Sequence, residues 1–153
     1  MITGPKKEVA ILIAEDDDGH AELIKDNLRE SGIANPIIRL VDGQAALDFL
    51  FGPPDGPAPR RQHGQPYMML LDIRMPRVDG VEVLRRIKAD PELRKMPVIM
   101  LTTTEDPREI QNCYDLGCSC YVTKPVDYLK FSEMLTRIGL FLMVVQVPHL
   151  NGE

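Results

Sequence analysis

Sulfur and imidazole ligands are scarce in this sequence, which has three cysteines and three histidines among 153 residues. Two of the cysteines are separated by a single serine, a spacing that does not fit a zinc site, and no second pair stands elsewhere to complete one. We therefore expect reduced, partly buried thiols. The histidines are scattered, and no serine or cysteine is paired with them, which argues against a nucleophilic triad and against phosphohistidine transfer. These residues are Cys113, Cys118, Cys120, His20, His63 and His149.

Long apolar runs are also missing. The longest, from Leu140 to Val147, is interrupted by Gln146 and is far too short to span a bilayer. The first eight residues carry two lysines, but no apolar segment follows them as it would in a secretory signal. We therefore expect a cytoplasmic protein with no membrane partner.

Concentrated positive charge is absent as well. The net charge is -5, and the only dense basic spots are arginine pairs at 60–61 and 85–86, which we interpret as solvated surface. A nucleic-acid backbone needs a clustered basic surface, so we expect no nucleic-acid partner. The 44% of hydrophobic residues is enough for a packed core, and the length fits one domain over 1–153.

Five short apolar segments alternate with five helical patterns along the chain. The strand segments are 9–14, 36–41, 67–71, 97–101 and 120–122, and the helices are about 20–30, 44–51, 80–89, 107–116 and 127–147. Before the third strand, the segment 52–66 contains five prolines and three glycines, which predicts an exposed insert loop. This alternation is typical of a doubly wound α/β fold, an open parallel sheet with helices on both faces.

Polar side chains follow four of the strands, at the sheet edge where ligands bind in such folds. They are Glu15 and Asp16 after the first strand, Asp72 after the third, Thr102 after the fourth and Lys124 after the fifth. Carboxylates from neighbouring strands repel unless a cation lies among them, and oxygen ligands without histidine or cysteine favour Mg²⁺. A carboxylate near Mg²⁺ can attack phosphorus to form an acyl phosphate. Lys124 and Thr102 could then bind the transferred phosphoryl group.

Four motifs together resemble the receiver domains of response regulators in two-component signalling. They are ILIAEDDD, LLDIRMPRVDG, IMLTTT and YVTKP, which occur in the family's order and near its spacing within residues of about 7–140. The resemblance implies a flavodoxin-like fold with strand order 2-1-3-4-5 and an extended last helix. The proline-rich insert and the apolar last helix are further similar to the small receivers that partner cyanobacterial and bacterial phytochromes.

The resemblance implies a role for each matching residue. Asp72 accepts a phosphoryl group from a histidine kinase, with a phytochrome kinase as one candidate, and the reaction depends on Mg²⁺. The implied metal ligands are Glu15, Asp16, Asp72 and the main-chain carbonyl of Arg74. Phosphoryl oxygens are bound by Thr102 and Lys124, and the switch consists of Thr102 and Tyr121. The structural residues are Pro76 and Gly80, which shape the loop after Asp72, and Pro125, which follows Lys124 through a cis peptide bond.

Two other functions stay open beside this one. A pseudo-receiver would keep the fold and act as a dimeric interaction module without phosphorylation, although the intact Asp16, Asp72, Thr102 and Lys124 argue against it. A haloacid-dehalogenase-type enzyme also forms an aspartyl phosphate, but it needs a second acid at the position of Arg74. We therefore expect no turnover of an external substrate. Two further acids, Asp17 and Asp18, are interpreted as the cap and first turn of the first helix.

The last helix carries two apolar stripes. The first can seal the helix on the sheet and consists of Phe131, Leu135, Ile138, Leu142 and Val145. The second consists of Met134, Phe141, Val144 and Val147, and Leu140 and Met143 widen it. A helix that is apolar nearly all round should not face water, so we expect a homodimer through this helix. The alternative is that the tail, 148–153, folds back over the second stripe.

Overall fold

The computed structural model of the chain describes residues 8–144, 147–148 and 150, and within these it has five strands and five α-helices. The strands are β1 (Ala10–Ala14), β2 (Ile37–Leu40), β3 (Tyr67–Leu71), β4 (Val98–Thr102) and β5 (Cys120–Thr123). The helices are α1 (Asp18–Glu30), α2 (Gly43–Phe51), α3 (Gly80–Ala89), α4 (Pro107–Leu116) and α5 (Tyr128–Leu142). A short 3-10 helix at Leu93–Lys95, which the sequence pattern did not predict, precedes β4.

All five strands pair in parallel, in the order β2-β1-β3-β4-β5, which confirms the predicted flavodoxin-like fold. The three central strands are buried along their whole length because helices cover both faces of the sheet. Successive side chains point to opposite faces. In β1, for example, Leu12 packs under α2 and α3, whereas Ile11 and Ile13 pack under α1 and α5.

Each of the five helices begins at an aspartate whose carboxylate accepts a hydrogen bond from a backbone N–H of the first turn. The five caps are Asp17, Asp42, Asp79, Asp106 and Asp127. Each cap contributes about 1 kcal/mol to the stability of its helix. The prediction that Asp17 caps α1 is confirmed, and Asp18 lies in the first turn, where it forms an ion pair with Arg39 at 2.6 Å.

The end of α5 differs from the prediction. The helix ends at Leu142 rather than near Val147, because apolar periodicity reports which face is buried and not where the hydrogen bonding stops. Three β-branched residues in this stretch of the sequence, Val144, Val145 and Val147, also have low helix propensity. The first stripe packs on the sheet as predicted at Phe131, Leu135, Ile138 and Leu142, while Val145 lies outside the described residues.

The tail was considered as an alternative cover for the second stripe of α5, but its buried residue packs elsewhere. Leu150 is fully buried in the core on the face of the sheet that α2, α3 and α4 cover, and its carbonyl accepts a hydrogen bond of 2.8 Å from the Gly64 N–H in the insert loop. The end of α5 is exposed to solvent. More than half of the surface is exposed at each of Leu140, Phe141, Met143 and Val144. Within the described residues, therefore, the tail does not cover the second stripe.

The three cysteines are free, with Cys113 and Cys118 buried and Cys120 half-buried, as expected. Burial raises the pKa of the Cys113 thiol to about 11, so this thiol stays protonated and unreactive at neutral pH. In the part of the chain that the structure describes, no helix is long and apolar enough to cross a membrane.

Candidate functional site

The polar strand-end residues meet at one edge of the sheet because backbone hydrogen bonds continue past the strands. Asp72 N donates to Ala14 O at 3.0 Å, which places the end of β3 beside the end of β1. Lys124 N donates to Thr102 O at 2.7 Å, which does the same for β5 and β4. Side chains separated by up to 109 positions in the sequence are thereby brought into contact.

Three carboxylates form the acidic part of this site. Glu15, Asp16 and Asp72 each offer an oxygen within 4.8 Å of the others. Glu15 and Asp72 are buried, whereas Asp16 is exposed and leaves the cluster open to solvent on one side. The donor set is purely oxygen, with no cysteine or histidine within it, so it fits a hard divalent cation such as Mg²⁺. The predicted fourth ligand, the Arg74 carbonyl, stays a prediction.

A buried lysine faces these acids. Lys124 is 4% exposed, and its Nζ lies 2.5 Å from Glu15 Oε1 and 3.7 Å from Asp72 Oδ2. Burial raises the pKa of the Glu15 carboxyl to about 7, and the hydrogen bond and charge of Lys124 oppose this shift only in part. The ammonium is therefore bound to Glu15 while it still lies close enough to Asp72 to attract an anion there.

Asp72 is held in a defined orientation. Its Oδ1 accepts a hydrogen bond of 2.9 Å from the N–H of Ile73, and its Oδ2 faces Lys124. Asp72 as a whole residue is 8% exposed. One oxygen is thus fixed by the backbone, and the other is directed into the site, where the acids and the ammonium meet.

Thr102 and Tyr121 are connected through the loop that follows β4. Thr102 is fully buried at the end of that strand, and Thr104 N lies 3.5 Å from its hydroxyl. The hydroxyl of Tyr121 donates to the carbonyl of Thr104 at 2.8 Å. Burial raises the pKa of Tyr121 to about 12, so the phenol remains a donor at neutral pH. The short segment from Thr102 to Thr104 therefore connects the end of β4 to the hydroxyl of Tyr121.

The loop after Asp72 depends on Gly80, the first residue of α3. The Gly80 N–H donates to Ile73 O at 2.8 Å, and a Cβ at this position would lie 2.0 Å from the carbonyl oxygen of Asp72. Arg77, between the predicted Pro76 and Gly80, has a φ of 71°, a conformation that non-glycine residues rarely adopt. The loop is therefore tightly folded against the site.

Replacing Gly80 by alanine should lower the free energy of unfolding by about 2 kcal/mol, because the new Cβ forces two backbone segments apart. Urea unfolding followed by circular dichroism measures the change. Gly19→Ala is the matched control: its Cβ would meet only the Asp17 carboxylate, at 3.2 Å. Equal stability of the two variants would show that the close approach at Gly80 is unimportant.

The prediction for Pro125 is wrong in one respect. No cis peptide bond occurs among the described residues, so the bond between Lys124 and Pro125 is trans. Proline lowers the cost of a cis bond to about 0.5–1 kcal/mol but still favours trans, and the proline alone therefore does not impose the cis form.

Sequence analysis missed one residue of the site. His20 was set aside as a histidine at a helix start, but its Nδ1 lies 3.1 Å from Lys124 Nζ. The two residues are 104 positions apart, and only the packing of α1 beside the end of β5 brings them together. The sole available signal was its place in the first turn after the acidic cluster.

Known proteins are similar to this chain over most of its length. Residues 11–138 match the family model described as the response regulator receiver domain. The chain is 34% identical over 145 residues to response regulator Rcp1 of Synechocystis, covering 90% of this chain and 92% of that protein. A solved structure of Rcp1 is its Mn²⁺-bound form, with 33% identity, a TM-score of 0.77 and coverage of 91% and 98% of the two chains.

Two further solved structures have the same architecture. A response regulator receiver domain from Rhodospirillum rubrum has 45% identity and a TM-score of 0.86, with 94% of this chain and 99% of that chain covered. The phosphorylated cyanobacterial phytochrome response regulator RcpA has 29% identity and a TM-score of 0.76, with 91% and 97% covered.

Proposed function

Because the chain belongs to the response regulator receiver family, we propose that it is a stand-alone response regulator that accepts a phosphoryl group on Asp72 from a histidine kinase. The observation that carries this proposal is the position of the Asp72 carboxylate, between two further acids and a buried ammonium. We take the whole chain to be one receiver domain located in the cytoplasm, with neither a nucleic acid nor a membrane as partner.

In the proposed reaction, Asp72 Oδ2 forms a bond to phosphorus while the bond from phosphorus to the kinase histidine breaks, and its electron pair returns to that imidazole. The Ile73 N–H orients the nucleophile through Oδ1. Lys124 lies near enough to bind a phosphoryl oxygen by leaving Glu15, and Thr102 can donate its hydroxyl to another. Lys124 and Thr102 thus act on the charge that develops at the phosphoryl oxygens, whereas the Ile73 N–H acts on the nucleophile.

The metal in this proposal is Mg²⁺, held by Glu15, Asp16, Asp72 and the Arg74 carbonyl. When bound, it would neutralise the carboxylates and the phosphoryl oxygens that approach them. The exposure of Asp16 supports this assignment because Mg²⁺ keeps several of its waters and needs access to solvent. Without a cation, the three carboxylates repel one another and repel the incoming phosphoryl group.

Phosphorylation would be transmitted through Thr102 and Tyr121. A hydroxyl drawn toward the phosphoryl group moves the loop after β4, whose Thr104 carbonyl holds the Tyr121 hydroxyl. The half-buried ring of Tyr121 can then pack inward, which changes the surface of α4 and β5. In this way a charge added at Asp72 becomes a change in a binding surface.

The experiment that tests the proposal is incubation with Mg²⁺ and acetyl phosphate, followed by intact mass measurement. We expect a gain of one phosphoryl group, which EDTA prevents. No gain in a protein that binds Mg²⁺ normally would favour the alternative, an unphosphorylated pseudo-receiver. Turnover of a small phosphoester would favour a phosphatase, whereas we expect the protein to turn over no external substrate.

The kinase partner in this proposal is a phytochrome histidine kinase. Support comes from the similarity to RcpA, which is a phytochrome response regulator, and to two bacteriophytochrome response regulators of 33% and 32% identity. A response regulator in red-light signalling of R. palustris is 28% identical. Phosphoryl transfer from a phosphorylated phytochrome kinase, compared with transfer from an unrelated histidine kinase, tests the assignment. Equal rates from both kinases would contradict it.

The exposed end of α5 supports a homodimer as part of the same proposal. Leu140, Phe141, Met143 and Val144 form an apolar patch whose members are 53–72% exposed. A second copy of the chain can cover this patch with its own, since two identical apolar surfaces are compatible with a two-fold axis. Leu150, in the described part of the tail, packs in the core on the other face of the sheet and does not cover the patch.

Replacing Phe141 by glutamate should weaken the dimer about thirtyfold, because a buried aromatic contact would be replaced by a charge. Light scattering at micromolar concentration measures the oligomeric state. Leu129→Glu is a matched control, since Leu129 is 70% exposed at the other end of the same helix. This interface would be excluded if the wild type is a monomer. It would also be excluded if Phe141→Glu and Leu129→Glu weaken the dimer equally.

A further inference from the structure

The imidazole of His20 lies beside the buried Lys124 ammonium. Lys124 Nζ lies 3.1 Å from His20 Nδ1 and 2.5 Å from Glu15 Oε1, while Asp72 Oδ2, at 3.7 Å, is beyond hydrogen-bond distance. An ammonium can only donate hydrogen bonds, so His20 Nδ1 must accept. The proton of the neutral imidazole then lies on Nε2.

His20 is held in position through both its backbone and its ring. Its backbone N–H donates to the Asp17 carboxylate at 2.9 Å, and the Asp17 N–H donates to Glu15 Oε2 at 3.2 Å. Its ring meets Phe131 of α5 edge-on, with centroids 5.6 Å apart. Glu15 and His20, the two acceptors of Lys124, are therefore arranged before any phosphoryl group arrives.

A neutral acceptor has a consequence that a carboxylate would not have. A second carboxylate at this position would neutralise Lys124 and compete with the phosphoryl oxygens for its charge. The imidazole lone pair holds the ammonium but leaves its positive charge available. When Lys124 exchanges Glu15 for a phosphoryl oxygen, His20 can keep one of its N–H groups satisfied in a site where an unpaired donor is costly.

On the basis of the proposed function, we propose that His20 is a positioning residue that holds Lys124 for phosphoryl binding through a neutral hydrogen bond at Nδ1. It acts through Lys124 and does not itself touch the phosphoryl group. The role requires an acceptor atom at the position of Nδ1 and does not require an aromatic ring. These two requirements can be separated by substitution.

The test compares initial rates of phosphoryl uptake from acetyl phosphate with Mg²⁺. His20→Phe keeps a ring against Phe131 but has no acceptor, and we expect about a tenfold slower uptake. His20→Asn places an amide oxygen at the position of Nδ1 and should stay within about twofold of wild type. His63→Phe, the same change at an exposed histidine in the insert loop, should leave the rate unchanged.

A role through Lys124 also predicts non-additivity. In a Lys124→Met background, His20→Phe should slow uptake no further. The inference is overturned if His20→Asn is as slow as His20→Phe, or if His20→Phe costs the same tenfold without Lys124. Either result would mean that His20 only supports the fold of α1.

A second measurement does not depend on phosphorylation. Nitrogen NMR of the metal-free protein should show His20 as the neutral tautomer with its proton on Nε2, and a proton on Nδ1 would overturn the inference. If the wild type takes up no phosphoryl group, the proposed function fails together with the role in uptake, and the tautomer alone then decides whether His20 accepts from Lys124. If the wild type takes up a phosphoryl group normally and His20→Phe does so at the same rate, the role of His20 is overturned while the proposed function of Asp72 stands.

Discussion

Replacing Lys124 by methionine should slow phosphoryl uptake by Asp72 about 100-fold, the usual effect of removing one preorganised donor from a developing anion. Methionine has nearly the length of lysine but no charge, so the buried position stays filled. The ammonium lies 3.7 Å from Asp72 Oδ2 in the unphosphorylated protein, and no large movement is needed for it to reach a phosphoryl oxygen.

Initial rates from acetyl phosphate at saturating Mg²⁺ measure this effect. Lys130→Met, at an exposed position of α5, is the control for the loss of one lysine. Removal of Lys124 also leaves Glu15 buried without a cation, and the carboxyl can respond by taking up a proton. Uptake at the wild-type rate in a folded Lys124→Met protein would remove Lys124 from the proposed reaction.

The stability of the metal-free protein should decrease as the pH rises from 4.5 to about 7. In the folded protein, burial raises the pKa of Glu15 from its ordinary value of 4.5 to about 7, whereas the carboxyl of the unfolded chain keeps the value of 4.5. Between the two values the folded protein holds a proton that the unfolded chain has lost, so the folded state is favoured at the acidic end. The contribution to the free energy of unfolding is about 3 kcal/mol and is lost once the pH exceeds the folded-state pKa.

Urea unfolding across this pH range, with and without Mg²⁺, measures the contribution. In Glu15→Gln the part of the pH dependence that comes from this carboxyl should disappear. Mg²⁺ should stabilise the wild type most at the alkaline end, where Glu15 is ionised and able to bind a cation. Parallel stability curves for wild type and Glu15→Gln would show that Glu15 titrates normally in the folded protein.

Much of the fold follows from two patterns in the sequence. Continuous apolar runs such as 67–71 predict strands buried on both faces, and β3 has those bounds in the structure. The five aspartates that cap the helices explain why all five helix starts lie within two residues of the prediction. The end of α5 and the burial of Leu150 could not be predicted, because both depend on tertiary packing rather than on a local pattern.

The site was predictable to the extent that strand ends meet at one edge of a parallel sheet. Glu15, Asp72, Thr102 and Lys124 were identified in this way, since each directly follows or ends a strand. His20 does not follow a strand, and its contact with Lys124 depends on how α1 lies against β5 and α5. A contact that depends on helix packing of this kind cannot be predicted from the spacing of residues in the sequence.

Whether Asp72 carries the phosphoryl group is tested most directly by the intact mass of three proteins after incubation with Mg²⁺ and acetyl phosphate. Wild type and Asp55→Asn, the same substitution at an exposed loop acid, should each gain one phosphoryl group. Asp72→Asn should gain none, because an amide oxygen at this position cannot form the acyl phosphate. A phosphoryl group on folded Asp72→Asn, or none on the wild type, would contradict the account.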